Sequence, residues 1–523
     1  MEARQSSKFV PNEVSPRFRR ALKSGSRSVR ALVFHGVLLG SVLFAGVATP
    51  RLWGATPDNP SSFRVSKLDT YLLDDISRRS FRYFWEQTDP HTGLVMDRAL
   101  VTGKPDDDPR HRNVASIAAT GFGLTADCIA AQHRWISPEV ARQRILTTLR
   151  FFAEKAPREH GWFFHFLDAK TGERRWDSEV SSIDTALLLA GILTTQQAFA
   201  NDPEIVRLST LIYDRVDFPW MLNGSRVFLS HGWKPETGFL PYRWDTYSEA
   251  KILYTLAIGS PTHPISPDAW HAWKLPIVDD AGYTFIGGGP LFTHQYSQAW
   301  LDLRNYVYAR NPLLDRFVPH VNFFANAVAA TRAQRATAID LSQHFPGYSA
   351  NVWGVTASDS PNGYVAWGDM PRDSRIDGTV VPSAAAGSLM FAPEICIPAL
   401  RTMLVQYGKK IYGRYGFADA FNPSTGWVSR KVIGIDVGIT LLSAENLRTG
   451  DVWDWFMSDL DVQRALYFVG LVLNPSPTSP LQVLFSPPRI DVAGENASGA
   501  EIGVSDQRIP VSAFQYTIPV HPR

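Results

Sequence analysis

A long succession of helix-like segments constrains the fold of this chain most strongly. From Leu68 onward, apolar residues recur at three- and four-residue spacing, and roughly ten helices follow one another up to Arg448, among them helices predicted over residues 113–133, 317–345 and 382–407. The strand–helix alternation of a parallel sheet does not run through them, although residues 161–168 alternate like a single strand. Antiparallel helix pairs stacked in a ring would bury the apolar helices and gather the intervening loops on one face. The sequence therefore predicts an all-α toroid.

The two ends of the chain differ from its body. Residues 1–30 hold eight Lys/Arg and two Asp/Glu, and the apolar run of residues 31–48 follows them. A basic arm before a short apolar core is typical of an export signal, so residues 1–48 are predicted to direct the protein to the periplasm. An uncleaved inner-membrane anchor is the alternative. The apolar run of residues 31–48 is borderline for it, because a spanning helix needs about 20 apolar residues. Residues 49–67 are predicted to be a linker, 68–473 the main domain and 474–523 a Pro/Ser-rich irregular extension.

Charge and cysteine content narrow the classes of partner. The formal net charge is +2, and the basic arm carries about +6, so the remaining residues sum to about −4. No nucleic-acid partner is expected for such a body. Cys128 and Cys396 lie in apolar surroundings and are predicted to be buried free thiols, with one disulfide as the alternative. The sequence has no CxxC, no HExxH and no clustered histidines, so no metal or cofactor is expected.

One acidic stretch, RRWDSEVSSIDTALLLAG, runs from residue 174 into an apolar helix. Ser181 and Asp184 have capping-box spacing, which predicts that the helix begins near Ser181. Asp177 and Glu179 then lie in the loop just before a buried helix, a position suited to hydrolytic chemistry. A capped helix beside two solvated acids is the alternative, and this stretch taken alone favours it.

A second stretch, YRWDTYSEAKILYTLAIGSPTHP, begins at residue 242 and repeats the pattern. Thr246 and Glu249 also have capping-box spacing, so Glu249 either satisfies the backbone of its own helix or serves as an acid in a site. Trp244 and Tyr247 crowd the same helix start, and flat aromatic rings can stack on the apolar faces of sugars. The spacing alone favours neither interpretation.

Further polar side chains stand at helix starts and in loops. Three glycines at 287–289 are not followed by Gly-Lys-Ser/Thr, which argues against a phosphate loop. Asp359 lies in a Gly- and Trp-rich loop, where it either holds a sugar hydroxyl or forms an Asx turn. The candidate substrate-binding residues from all these stretches are Trp244, Tyr247, Trp233, His294, Gln295, Tyr296, Asp97, Arg98 and Asp359.

Several of these stretches resemble, in order, successive blocks of the glycoamylase-like family. The blocks are SEVSSIDTALLLAG, YSEAKILYTLAIGSPTHP, GGPLFTHQYSQAW, NVWGVTASDSPNGY, DGTVVPSAAAGS, YGFADAFNP and GIDVGITLLSAEN. The resemblance runs from about Leu68 to Met457, and characterised members of the family include bacterial endo-β-1,2-glucanases. It implies an (α/α)6 toroid of helical hairpins, with long loops and a few short strands on the active-site face. It also implies hydrolysis of β-1,2-glucan or its oligosaccharides, with inversion.

By motif position, Glu179 and Glu249 match the family's essential acids. Two motifs depart from the family's pattern: Thr246 stands where a glycine is expected, and Val437 and Ile439 stand where Gln and Pro are expected. The alternatives are an exo-acting enzyme that releases sophorose, a glucan transglycosylase on the same scaffold and a non-catalytic glycan-binding protein.

The expected chemistry needs two carboxyl groups with different tasks. We expect Glu249 to be the general acid, and Glu179, assisted by Asp177, to activate water. A helix N-terminus lowers the pKa of a nearby carboxyl group, whereas a general acid must stay protonated near neutral pH. Burial of Glu249 against Trp244 or Tyr247 would therefore have to outweigh the helix.

Overall fold

The structure is a computed structural model that describes residues 65–104, 106, 108–308, 321–368 and 370–473. All of these residues belong to one compact unit, residues 57–523. The predicted export signal, most of the predicted linker and the extension of residues 474–523 lie outside the described residues. Within the described part of the chain, no helix has the length and apolar character needed to cross a membrane.

Helices dominate the described residues, as the sequence predicts. In chain order they are α1 Lys67–Glu86, α2 Ile117–Gln132, α3 Pro138–Arg150, α4 Ser182–Ala198, α5 Pro203–Asp214, α6 Phe218–Met221, α7 Lys251–Gly259, α8 Asp268–His271, α9 Phe292–Trp300, α10 Phe323–Leu341, α11 Pro382–Ala386, α12 Pro393–Ile411, α13 Gly434–Arg448, α14 Asp451–Met457 and α15 Leu460–Phe468. A π-helical turn, Phe151–Lys155, extends α3.

Two kinds of helix can be told apart by their burial. Helices α2, α4, α7, α9 and α13 are buried on nearly all sides, and they pack in a closed series: α2 on α4, α4 on α7, α7 on α9, α9 on α13, and α13 on α2. A second set of helices packs outside this series: α3 on α2, α5 on α4, α15 on α7, α10 on α9 and α1 on α13. In addition, α12 packs on α11, and α11 packs on α13. Helices α1, α3 and α5 bury one face and expose the other, as expected for a surface layer.

The contact between α2 and α4 depends on two glycines. A Cβ atom at Gly191 would lie 2.1 Å from the carbonyl oxygen of Gly121, and one at Gly121 would lie 2.2 Å from that of Leu187. Either side chain would force the two backbones apart, because tightly packed interiors accommodate added atoms poorly. The sequence of small residues in this region therefore permits the close helix contact.

Short antiparallel strands connect the helices. In chain order they are β1 Arg98–Leu100, β2 Val114–Ser116, β3 Arg158–Glu159, β4 Trp162–Phe163, β5 Phe166–Asp168, β6 Val180–Ser181, β7 Gly232–Lys234, β8 Gly238–Phe239, β9 Ile277–Asp280, β10 Tyr283–Ile286, β11 Tyr306–Tyr308, β12 Ser358–Ser360, β13 Gly363–Val365, β14 Tyr412–Gly413, β15 Gly416–Phe417, β16 Lys431–Ile433 and β17 Leu471–Leu473. The pairs are β1–β16, β2–β5, β3–β4, β6–β7–β8, β9–β10, β11–β17, β12–β13 and β14–β15. In the first pair Leu100 lies opposite Lys431, so this pair joins distant parts of the sequence.

Several predicted boundaries need correction. The helix predicted from Asn113 begins at Ile117, because residues 114–116 form β2 and pair with β5. The single helix predicted over residues 382–407 is divided into α11 and α12, and the helical series continues after Arg448 as α14 and α15. The predicted start of a helix at Phe317 lies outside the described residues. The prediction of two buried free thiols, Cys128 and Cys396, is confirmed.

Candidate active site

Glu249 is buried and lies just before α7, outside any capping box. The helix begins at Lys251 and has no side-chain cap. Thr246 is exposed, and its hydroxyl donates to the carbonyl of Lys274, as does the backbone N–H of Tyr247. The predicted Thr246–Glu249 capping box is therefore wrong, because the chain at Thr246 pairs with the segment around Lys274. The carboxyl group of Glu249 is thus not engaged in capping its helix.

The surroundings of Glu249 suit an acid that keeps its proton. Burial raises the pKa of Glu249 to about 7, although the charge of Lys251 acts in the opposite direction. Lys251 is fully buried, and its ammonium donates to the carbonyls of Ser248 (2.6 Å) and Thr293 (3.1 Å). Burial therefore outweighs the helix N-terminus, which is the condition that a general acid at this position must meet.

Glu179 has the opposite electrostatic character. Its Oε1 lies 2.9 Å from Nδ1 of His165, and Nε2 of the same ring lies 3.4 Å from Asp184 Oδ1. Partial burial raises the pKa of Glu179, but the hydrogen bond and charge of His165 prevail and lower it to about 2. The pKa of His165 is raised: burial lowers it, and the nearby carboxylates, Asp184 first, outweigh burial. Glu179 is therefore an ionised carboxylate held in an ion pair.

Asp184 has two roles at the start of α4. The Ser181 hydroxyl accepts from the Asp184 N–H (3.2 Å) and lies 2.5 Å from its Oδ2, so the predicted helix start at Ser181 is confirmed. Asp184 also faces His165, burial raises its pKa, and its charge raises the pKa of Glu249. The cap residue thus links the Glu179 and Glu249 regions electrostatically.

The same three side chains form the one group of potential metal ligands found among the described residues. A ligand atom from each of His165, Glu179 and Asp184 lies within 4.8 Å of the other two. Both ring nitrogens of His165, however, already face a carboxylate. The three side chains therefore pair with one another as an ion cluster.

A second pair of buried carboxyl groups, Asp419 and Asp436, was missed by the sequence analysis. Both line a cavity together with Ser383, and Asp436 stands in the first turn of α13. Burial raises the pKa of Asp436 to about 7, and a hydrogen bond from Asp419 favours its ionised form. Burial and the charge of Asp436 hold the pKa of Asp419 well above its ordinary value. Asp419 therefore holds its proton more firmly, and Asp436 is the member of the pair that ionises first.

A signal for this pair was present in the sequence. The blocks YGFADAFNP and GIDVGITLLSAEN contain Asp419 and Asp436, and the second places an acid at the start of an apolar helix. Glu179 was singled out because it precedes α4 in a similar way.

Three of the predicted binding residues gather beside this pair. Arg98 lies 2.7 Å from Asp97 and 3.5 Å from Asp359. The backbone N–H of Asp359 donates to Asp419 Oδ2 (2.6 Å), and its carboxylate accepts from Ser429 (3.0 Å). The backbone of Asp359 therefore bonds to Asp419, and the side chain of Asp359 pairs with Arg98.

Tyr296 connects the two halves of the site. Its hydroxyl lies 3.5 Å from Asp436 Oδ1, and burial together with the charges of Asp436 and Glu249 raises its pKa. Asp184 and Glu249 are coupled in the same way across the contact between α4 and α7. The carboxyl groups near the beginnings of α4, α7 and α13 thus interact electrostatically, and Tyr296 on α9 is affected by both Glu249 and Asp436.

The predicted aromatic residues take different positions around this region. Trp244 is half-buried, donates from Nε1 to the Ser182 hydroxyl (2.9 Å) and stacks on His231 at a ring distance of 3.8 Å. Trp233 lies on β7, opposite Val180. Tyr247 is buried and its hydroxyl bonds to Nδ1 of His294 (2.9 Å).

Two of the predicted polar residues on α9, His294 and Gln295, are buried and hydrogen-bonded to other protein groups. Gln295 is buried and donates to Ala384 O and the Ser388 hydroxyl. His294 is also buried, which lowers its pKa to about 3 and keeps the ring neutral. Their contact with substrate stays a prediction.

Asp177 belongs neither to the cluster of His165, Glu179 and Asp184 nor to the pair of Asp419 and Asp436. Asp177 is exposed in a loop and makes no hydrogen bond or ion pair with any described residue. Its backbone, like that of Trp176, is left-handed, with φ values of 48° and 58°. Asp177 therefore stands in a left-handed turn, whereas Glu179 two residues later pairs with His165.

Comparisons with known proteins show which sequences and folds this chain resembles. A family model described as "Putative glucoamylase" matches residues 241–459, which include Glu249, Asp359, Asp419 and Asp436. The exo beta-1,2-glucooligosaccharide sophorohydrolase (non-reducing end) of Parabacteroides distasonis is 30% identical over 436 residues, or 76% of this chain. The chain spans only 57% of the length of that relative.

Solved structures extend the similarity to the fold. The endo-beta-1,2-glucanase from Chitinophaga pinensis, in complex with sophorotriose and glucose, matches 77% of this chain and 98% of its own, with a TM-score of 0.71 and 28% identity. The beta-1,2-glucanase from Parabacteroides distasonis matches 77% of this chain and 60% of its own, with a TM-score of 0.68 and 28% identity. The chain is therefore similar, over residues 241–459, to the family described as putative glucoamylase, and over about three quarters of its length to bacterial β-1,2-glucanases.

Proposed function

We propose that this chain is a glycoside hydrolase that cleaves β-1,2-glucan or its oligosaccharides. The observation that carries the proposal is a buried acid, Glu249, with a pKa of about 7, whose charge acts on Tyr296 together with that of Asp436. Glycosidic cleavage needs such a pair, one group to protonate the leaving oxygen and one to assist attack on the sugar. The names of the relatives support β-1,2-glucan as the substrate.

In the proposed mechanism, Glu249 is the general acid. Its raised pKa keeps the proton available near neutral pH, and the proton passes to the glycosidic oxygen as the bond breaks. Lys251 limits the rise in this pKa, so the acid still gives up its proton readily.

Asp436 is the stronger candidate for the base that activates water. The hydrogen bond from Asp419 favours its ionised form, while burial gives it a proton affinity near neutrality. Glu179, the base expected from the sequence, is ionised, but a pKa of about 2 makes it a weak proton acceptor. We assign Glu179 to holding His165 and keep water activation by Glu179, assisted by Asp177, as the alternative. Attack by a water molecule leads to inversion at the anomeric carbon.

The scaffold that we propose is the (α/α)6 toroid. The closed series of contacts through α2, α4, α7, α9 and α13, with α3, α5, α15, α10 and α1 packed outside it, supports this arrangement. The pair of α11 and α12 supplies the sixth hairpin. Export to the periplasm stays a prediction that rests on residues 1–48.

The decisive experiment incubates the purified full chain with linear β-1,2-glucan, other β-glucans and starch, and separates the products by chromatography. Cleavage of β-1,2-glucan is expected, with a ladder of oligosaccharides for endo action and sophorose alone for exo action. Glu249→Gln should lower kcat about 10²- to 10⁴-fold. The control is Glu154→Gln, since Glu154 is exposed on the turn after α3.

Cleavage of starch alone would overturn the substrate assignment. Binding of β-1,2-glucan without turnover would favour the glycan-binding alternative. Transfer products formed in place of reducing sugar would favour the transglycosylase.

The two candidate bases can be separated by their variants. Asp436→Asn should abolish the acidic limb of the kcat/KM profile, which on this mechanism reports ionisation of Asp436 near pH 7. Glu179→Gln and Asp177→Asn should keep that limb. If Glu179→Gln removes it instead, the assignment of the base is wrong.

A further inference from the structure

Trp176 is an exposed aromatic side chain with a fixed orientation near the site. Its side chain is 42% exposed, and its indole Nε1 donates to the carbonyl of Arg110 at 3.0 Å. The carboxylate groups described above make no use of this residue. A partly exposed indole leaves apolar ring surface in contact with water, where a ligand can cover it.

A continuous series of ring contacts joins Trp176 to the site. The indole meets Phe166 edge-on at a centroid distance of 4.8 Å, and Phe166 stacks on His165 at 3.7 Å with an interplanar angle of 17°. His165 in turn holds Glu179 and Asp184. The indole of Trp176 is therefore joined, through Phe166, to the side chain that holds Glu179 and Asp184.

Trp176 has a second ring contact, with His111. His111 contacts the indole edge-on at 5.6 Å, and its Nδ1 lies 3.1 Å from the buried Asp106 and 3.0 Å from the ammonium of Lys431. Lys431 belongs to β16, so this support reaches the strand pair that carries Arg98. A side chain fixed in advance loses little conformational freedom on binding, which favours its use as a binding platform.

We infer that the exposed face of Trp176 binds a glucosyl unit of the bound glucan, at a position remote from the bond that is cleaved. The inference rests on the proposed function for the identity of the sugar. The C–H groups on one face of a pyranose ring stack on an aromatic face, and the continuity with His165 places this face where a chain leaving the site would pass. A chain long enough to reach Trp176 should gain affinity from it, whereas the shortest substrates should gain less.

The test compares Trp176→Ala with Trp85→Ala on glucans of different length. Trp85 is a matched control because it is 41% exposed on α1 and contacts Phe81 and Arg144, outside the His165 contacts. Trp176→Ala should raise KM for long β-1,2-glucan about 3- to 10-fold and raise KM less for the shortest oligosaccharide that is cleaved. Trp176→Phe should recover part of the loss, and Trp85→Ala should leave both KM values as in the parent.

Two results would overturn the inference. One is a KM for long glucan that Trp176→Ala leaves unchanged. The other is an equal loss at every chain length with an altered pH profile, which would mean that Trp176 only supports His165 through Phe166.

Failure of the proposed function gives a different result. If the parent cleaves no β-1,2-glucan, calorimetric titration with the same glucan replaces kinetics. Weaker binding by Trp176→Ala than by Trp85→Ala would then support the inference without hydrolysis, and equal or absent binding would overturn it.

Discussion

Glu249 and Lys251 are two residues apart, and burial acts on them in opposite directions. It raises the pKa of the carboxyl group to about 7 and lowers that of the ammonium to about 7. The charged groups that act on Glu249 are Lys251, which lowers its pKa, and Asp184 on α4, which raises it. His294 on α9 is neutral near pH 7 because burial lowers its pKa to about 3. The proton of the acid is therefore controlled mainly by burial and by one buried cation.

Lys251→Met should move the alkaline limb of the kcat/KM profile upward by about one pH unit, because the removed charge lowers the pKa of Glu249. The acid then stays protonated to higher pH. A pH-rate profile measures the shift, with Lys274→Met as the control, since Lys274 is exposed and pairs with Asp245. An unmoved limb, or one that moves downward, would contradict the effect assigned to Lys251.

The site shows what short-range sequence patterns can and cannot predict. Glu179 and Glu249 could be found because each precedes an apolar helix within a recognisable block. Asp419 and Asp436 come together through loop geometry and burial, which spacing does not encode. The sequence also could not show that Asp177 is exposed and without an ion pair to any described residue, whereas Glu179 two residues later pairs with His165.

Helices α4 and α7 follow the same Ser/Thr-x-x-Asp/Glu spacing but begin differently. Ser181 caps α4, whereas Thr246 bonds to the Lys274 carbonyl and α7 starts five residues later without a side-chain cap. Tertiary pairing with another segment overrides the local preference at Thr246. The spacing alone could not distinguish the two cases, since the partner of Thr246 is 28 residues away.

Ser181→Ala should therefore lower the free energy of unfolding by about 1 kcal/mol, the ordinary cost of losing a helix cap. Thr246→Ala should change it by less than about 0.5 kcal/mol, as expected for an exposed residue without a cap. Urea unfolding of both variants measures the difference. Equal losses would show that Thr246 caps α7 after all.

The predictability of other elements follows their length and environment. Helices that are apolar on all sides, such as α2 and α4, were evident because long apolar runs have few alternatives. The short strands were largely missed, since two or three residues carry no periodicity and their partners are far apart in sequence. The short helices α14 and α15 were missed for a similar reason.

At the scale of the whole molecule, the buried acids reduce stability at neutral pH. The pKa of Glu249 is about 7 in the folded state, against 4.5 for an ordinary Glu, and the pKa of Asp436 rises in the same direction. Between these values the unfolded chain has lost its proton and the folded chain still holds it. The free energy of unfolding therefore falls as pH rises from about 4.5 to about 7.

Glu249→Gln should remove part of this loss and stabilise the protein at pH 8 by on the order of 2 kcal/mol relative to the parent, while activity falls. At pH 4 the two proteins should unfold at similar denaturant concentrations. Denaturant titrations at both pH values measure the effect, and Glu154→Gln should follow the parent at each. A variant that is less stable than the parent at pH 8 would contradict the burial assigned to Glu249.

The pairing of β1 with β16 sets a time order for the appearance of the site. Arg98 contacts Asp359, which in turn bonds to Asp419, so the whole group, with Asp436, can be complete only after residue 436 has been made and β16 has paired with β1. Closing so long a segment adds little to the equilibrium cost, but contacts distant in sequence form slowly. The arrangement of acids around Asp419 is therefore completed only by residues near the end of the described part of the chain.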